Sequence, residues 1–166
     1  MLWIETEFEL LSEALRKVDL AILNEEEVCA IAGDDLVHSA AAKISSGEAL
    51  YGGIAAGPGP RGVIVKRGRS GSVAYLDCGI ITLPAYPTDA LVDPTGAGDS
   101  FAGALLSNIA GRKGALNQRD TMRDALLHAT VTASFSVEGL GVSGVSNLER
   151  GRYHARVDKY RRMVGL

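Results

Sequence analysis

The chain has 166 residues, with 17 Lys and Arg against 20 Asp and Glu and a formal net charge of −3. Hydrophobic residues make up 46% and charged residues 22%, which is ordinary globular usage and excludes a disordered, collagen-like or coiled-coil polypeptide. No apolar run is long enough for a membrane span, no basic block suits nucleic acid, and the acidic start MLWIETEFELLSE lacks the layout of a secretory signal. The expectation is therefore a single domain with no nucleic-acid or membrane partner. Cys29 and Cys78, far apart in sequence, fit a reducing, cytoplasmic compartment better than a disulfide framework.

In chain order, the first predicted helix covers Glu7–Lys17, opened by a Thr6/Glu9 capping box, with Phe8, Leu11 and Leu15 on one face. Val18–Leu23 is an apolar run suited to a buried strand. Asn24 follows, then a helix over Glu25–Ala32, then one capped by Asp34 or Asp35 that reaches Glu48. Gly52–Gly62 is a breaker-rich loop with no function read into it. Val63–Lys66 is a strand, Arg67–Gly71 a turn, and Val73–Leu76 a strand with Cys78–Leu83 as its hairpin partner. After the Pro84–Ala90 loop, Leu91–Val92 reads as the end of a strand running into DPTGAGDSFAGALL. The pattern is helical from near Gly98 to about Ala110. Helices over Thr121–Val137 and Asn147–Met163 follow, the last with basic residues at its C-terminal end. Strands alternating with amphipathic helices imply a mostly parallel sheet with helices on its faces, and ligands in such sheets sit at the carboxyl ends of strands.

The segment richest in chemistry is Asp93-Pro94-Thr95-Gly96-Ala97-Gly98-Asp99. The small residues Gly96, Ala97 and Gly98 leave backbone N–H groups open at a helix N-terminus, where partial positive charge attracts anions, phosphate above all. Asp99, in the first turn, is placed to accept a proton from a substrate hydroxyl while those N–H groups hold a phosphoryl group. Phosphoryl transfer depends mainly on positioning and charge stabilisation, so a weak base suffices. Taken alone, Gly-Ala-Gly-Asp also reads as an N-cap on a tight turn.

The longer stretch Asp93–Leu106 resembles the second signature of the PfkB (ribokinase-like) family of carbohydrate and nucleoside kinases, with small residues at Gly103 and Ala104 after the Asp. The run from Val18 to Glu27 resembles that family's strand followed by Asn-x-x-Glu. The resemblance implies that Asn24 reaches the nucleotide phosphates and that Glu27 serves Mg²⁺ through water. The same two residues also fit an ordinary capping box. Val63–Gly71 resembles the family's strand and nucleotide loop, implying ATP contacts at Lys66, Gly68 and Gly71. Many members carry Thr where Lys66 stands; a lysine there either neutralises phosphate charge or sits in solvent. Asp93 and Thr95 match positions that bind a monovalent cation such as K⁺ in some members, and the helix Thr121–Val137 resembles one bordering the adenine pocket. Gly139–Gly144 fits G-x-G-x-x-G but follows a helix, so the dinucleotide fingerprint lacks its context.

The resemblance covers nearly the whole chain but only the C-terminal half of the family. Residues 1–166 then form the nucleotide-binding and catalytic part of a PfkB-type kinase domain. The implied fold is a three-layer ribokinase-like α/β arrangement whose N-terminal strands and lid are missing. The implied activity is ATP-dependent phosphoryl transfer to an alcohol of a sugar, sugar acid or nucleoside, with Asp99 as base and Gly96–Gly98 as anion hole. The alternative is a non-catalytic nucleotide-binding or interaction module. Without a lid, water reaches the phosphoryl group and the acceptor is unpositioned, so this chain alone is expected to be inactive. An open sheet edge is expected as well, with self-association as its consequence.

Overall fold

The main strands and helices form where the periodicity places them, with ends shifted by a few residues, but the expected strand end at Leu91–Val92 does not form and two short helices, at Leu2–Thr6 and Ser143–Ser146, are added. A computed structural model describes residues 2–141 and 143–166. They make two units, residues 2–67 with 72–82 and residues 68–71 with 83–166.

The first unit opens with α1 (Leu2–Thr6) and α2 (Phe8–Lys17). The expected Thr6/Glu9 capping box does not form: Thr6 closes α1, and Glu7 is the N-cap of α2 with no side-chain cap bond. Backbone bonds bridge the junction, from Glu7 N–H to the Trp3 carbonyl at 3.1 Å and from Leu11 N–H to Glu7 at 3.0 Å. Thr6 therefore does not take the extended backbone that a cap requires. β1 (Leu20–Asn24) leads directly into α3 (Glu25–Ala32), which ends at the left-handed Gly33. α4 (Val37–Ser46) starts later than expected. Asp34 is not its N-cap but ties its first turns together, accepting Leu36 N–H at 2.9 Å, the Ser39 hydroxyl at 2.6 Å and the Lys43 ammonium at 2.8 Å. The glycine-rich loop after α4 is held by Arg16. Its guanidinium donates to the carbonyls of Gly53 at 3.0 Å, Tyr51 at 3.1 Å, and Gly57.

β2 (Gly62–Lys66), β3 (Ser72–Leu76) and β4 (Gly79–Leu83) complete a four-stranded sheet in the order β1-β2-β3-β4. Val63, Ile64 and Val65 are fully buried, as expected for a central strand covered on both faces. Val63 and Val65 join one apolar core with Val28 and Ile31 of α3 and Ala40, Ala41 and Ile44 of α4. The sheet is mixed over the described strands rather than mostly parallel. β1 and β2 pair in parallel, and the intervening helices supply the crossover this requires. β2 and β3 pair antiparallel, since their short connection permits a turn and no crossover.

The second unit is helical over its described length apart from its loops. α5 (Ala97–Ile109) lies along α6 (Arg119–Ser136), and α7 (Ser143–Ser146) and α8 (Arg150–Met163) also contact α6. Phe101 and Leu105 of α5 and Met122, Leu126, Val131 and Phe135 of α6 are buried. α8 begins three residues after the expected Asn147, behind the separate turn of α7. Leu91–Val92 forms no strand: its backbone meets the end of α6 and no partner strand. No helix among the described residues is long and apolar enough to cross a membrane.

Lys43, Ser39 and Leu36 together hold the Asp34 carboxyl well below the usual carboxylate range. A lowered folded-state pKa contributes stability above the unfolded value of about 4 and loses it as pH falls through the folded value. Asp34→Asn should therefore lower the melting temperature at neutral pH, with the gap to wild type closing below about pH 3. Thermal melts of both proteins across that range check this, and a gap independent of pH would contradict it.

Candidate active site

In the second unit the signature segment is shaped by backbone bonds first. The Val137 carbonyl, just past α6, accepts Val92 N–H at 2.8 Å and Asp93 N–H at 3.2 Å. The Asp93 carboxylate then accepts Thr95 N–H at 2.9 Å. That bond, with further ones from the Thr95 hydroxyl and Gly141 N–H, lowers its pKa. Asp93 thus organises the turn as an Asx-type anchor. Gly96 is the N-cap of α5 with φ +80°, a left-handed conformation that favours glycine. A Cβ there would meet nothing within 4 Å, so the requirement is conformational and not steric.

Of the first N–H groups of α5, Ala97 donates to the Pro94 carbonyl at 3.2 Å, and Ser100 donates to Gly96 at 2.9 Å. The N–H groups of Gly98 and Asp99 take no backbone partner among the described residues. These two N–H groups are left open at the helix start, where helix geometry favours an anion, whereas Ala97, expected to share that role, is engaged internally. The Asp99 carboxylate is exposed on the same first turn.

Gly68 and Gly71 lie on a turn of their own, closed by Gly71 N–H to the Gly68 carbonyl at 3.1 Å. A Cβ on Gly71, at φ +90°, would come within 2.1 Å of the Leu83 carbonyl oxygen and 2.6 Å of the Pro84 carbon. Two backbone segments pass too closely there for any side chain, which by itself accounts for the glycine.

In the first unit, Asn24 and Lys66 are register partners at the carboxyl ends of the parallel pair β1 and β2. The capping box is present: Asn24 Oδ1 accepts Glu27 N–H at 2.7 Å, and Asn24 N–H donates to Glu27 Oε2 at 2.7 Å. Arg67 is committed to Glu25 at 3.3 Å, whereas Lys66 pairs with no carboxylate among the described residues. Asn24, Glu27 and Lys66 are thus brought together at one end of the sheet, and Asp93, Thr95 and Gly96–Asp99 at one helix end. No group of three or more His, Cys, Asp or Glu among the described residues is arranged to hold a metal ion.

Sequence reasoning missed Pro94, Val137 and Gly141 as organisers of the signature turn, because they act through backbone groups. The one signal was the glycine-rich run 139–144, of which Val142 lies outside the described residues. A Cβ on Gly144 would fall 2.1 Å from the Phe135 carbonyl oxygen, so this run serves to fold closely over the end of α6, not to bind a dinucleotide.

Solved structures define the class. The chain aligns with an aminoimidazole riboside kinase from Salmonella enterica, complexed with aminoimidazole riboside and an ATP analog, at 20% identity and a TM-score of 0.69. That alignment covers 90% of this chain and 45% of the other. Against a ribokinase from Thermotoga maritima the identity is 28% and the TM-score 0.66, over 89% and 44% of the two chains. The fold is ribokinase-like. A cytidine kinase from Thermococcus kodakarensis is 35% identical over 101 residues, 60% of this chain and 32% of that one. Residues 2–148 match the pfkB family carbohydrate kinases, and the chain belongs to that family. It spans less than half the length of each of these relatives.

Gly96→Ala introduces backbone strain without a clash and should cost about 1–2 kcal/mol of stability. Gly71→Ala adds a collision with the Leu83 carbonyl and should cost more. Urea denaturation midpoints rank the two variants, and the reverse order would contradict the geometry.

Proposed function

We propose that this chain is the nucleotide-binding and catalytic part of an ATP-dependent kinase acting on an alcohol group of a sugar, sugar acid or nucleoside. The observation that carries the reading is the start of α5, where the N–H groups of Gly98 and Asp99, without backbone partners among the described residues, flank an exposed carboxylate on a turn fixed by Gly96. In this reading Asp99 takes the proton of the acceptor hydroxyl. The resulting oxygen attacks the terminal phosphorus of ATP, the phosphoryl oxygens lie against the open N–H groups, and ADP leaves. Asn24 and Lys66 meet the nucleotide phosphates, and the turn bearing Gly68 and Gly71 lies along the nucleotide.

Mg²⁺ bound with the nucleotide supplies positive charge to the phosphates. Glu27 fits a water-mediated role toward it, since one carboxylate oxygen is committed to the Asn24 N–H and the other is left for water. Asp93 and Thr95 are the proposed monovalent-cation residues, with K⁺ as the ion. The relatives' names include a nucleoside kinase and a sugar kinase, which supports the breadth of the acceptor class. The proposed location is the cytoplasm, with no nucleic-acid or membrane partner.

A second reading is a non-catalytic nucleotide-binding or interaction module, favoured by a strand edge that no described strand pairs. The outer edge of β1, which pairs with no described strand, is its proposed surface for self-association.

In a kinase containing this chain, Asp99→Asn should reduce turnover about 10²–10⁴-fold while leaving ATP affinity nearly unchanged. Steady-state kinetics with nucleotide titration measures both. Undiminished turnover would remove Asp99 as the base. Phosphoryl transfer by the 166-residue chain alone would remove the module reading.

A further inference from the structure

Residues 88–93, which lead into the signature turn, are gripped at both ends by the residues that follow α6. At the far end the Val137 carbonyl holds Val92 and Asp93. At the near end the Thr88 hydroxyl donates to Glu138 Oε1 at 2.7 Å and accepts Ala90 N–H at 3.2 Å. Glu138 Oε2 receives Arg156 Nη2 from α8 at 2.9 Å and Arg152 Nη2 at 3.4 Å. The side chains of Glu138 and Arg156 are each only 13% exposed. The Arg156 guanidinium carbon sits 3.6 Å from the Phe135 ring centroid and 4.9 Å from that of Tyr86, and its Nη1 donates to Ser134 at 3.0 Å. The cation is thus held by two aromatic rings as well as by its hydrogen bonds. α8 also holds the start of the same loop, where the buried Tyr160 hydroxyl donates to the Pro84 carbonyl.

We infer that Glu138 and Arg156 are positioning residues for the phosphate-binding turn, forming a latch that clamps residues 88–93 and thereby sets the approach of Asp93 to Gly96. The function assigned to that turn rests on the kinase reading above; the latch itself rests on the contacts. Burial pushes the Glu138 carboxyl up, but the bonds from Arg156 and Thr88 outweigh it and leave its pKa below the ordinary value. The charged form is therefore the one built into the fold. A half-buried carboxylate deprived of its partner loses the hydrogen bonds that balance its desolvation, so removing either member should release the loop. The latch acts on the backbone and side chains of the loop, which separates its role from the proton transfer proposed for Asp99.

Hydrogen–deuterium exchange on the intact 166-residue chain tests this, with Thr88→Val, Glu138→Gln, Arg156→Ala and Arg156→Lys compared with wild type. Exchange at Val92 and Asp93 should rise about tenfold in Glu138→Gln and Arg156→Ala, and less in Thr88→Val. Arg156→Lys should recover part of the protection. Residues 121–130 of α6, which the latch does not touch, should be unaffected in every variant. Inorganic tripolyphosphate, titrated calorimetrically, should bind more weakly in the same order. Unchanged exchange at Val92 and Asp93 would overturn the inference, as would acceleration spread equally through α6. Thr88→Val removes one hydroxyl from a loop, so it decides the matter even if a charge variant fails to fold. The exchange pattern without tripolyphosphate binding by the wild type would support the latch and remove the phosphate-binding reading.

Discussion

One backbone carbonyl organises the chemistry-bearing half of this chain. The Val137 oxygen accepts from Val92 and Asp93, so the end of a long buried helix dictates where the signature segment begins. A helix leaves its last carbonyls without partners, and here one just beyond the helix end is satisfied by the approach to another helix's N-terminus. The Asp93 side chain carries the constraint one step further to Thr95, and the left-handed Gly96 turns the chain into α5. The N-terminus of α5 is thereby positioned by backbone groups that cannot rotate away, as the proposed anion site requires. This suits a reaction in which positioning and preorganised charge do most of the catalysis.

The glycines divide into two physical kinds, and the division matters for their assigned roles. Gly96 stands in open space and is needed for its backbone angle alone. Gly71 and Gly144 stand where another backbone passes within bonding range of an added carbon, and they are needed for the missing side chain. Asn24 likewise has a complete structural occupation as an N-cap, and any contact with phosphate would add to that role without replacing it.

Much of this was legible in the sequence. The apolar run before Asn24, the β-branched Val63–Val65 and the small-residue signature all fell on the elements they suggested, because burial and backbone freedom act locally there. The capping box at Asn24 and Glu27 was readable because both partners lie within one helical turn. The false box at Thr6 was readable in the same way. It failed because a preceding helix, invisible to a four-residue pattern, had already claimed Thr6. The expected strand at Leu91–Val92 failed for lack of a neighbour. Pairing is a property of two segments, and the partner here is the end of α6. The Glu138–Arg156 pair, 18 residues apart, was hidden for the same reason.

Arg16 shows how much order one side chain can impose at a distance. The loop it holds is rich in glycine, and glycine loses more conformational freedom on ordering than any other residue. Leu50 anchors the start of the loop in the apolar core, and the rest is gathered around a cation, with backbone oxygens turned inward as they would be around a metal ion. The planar fork of a guanidinium reaches several acceptors at once, which the point charge of an ammonium does not. The loop's identity therefore lies less in its own letters than in the spacing of its carbonyls around Arg16. Gly47 and Gly59 are the letters that this spacing still dictates, since an added carbon there would meet the Gly57 and Ile44 carbonyl oxygens at 2.2 Å and 2.0 Å.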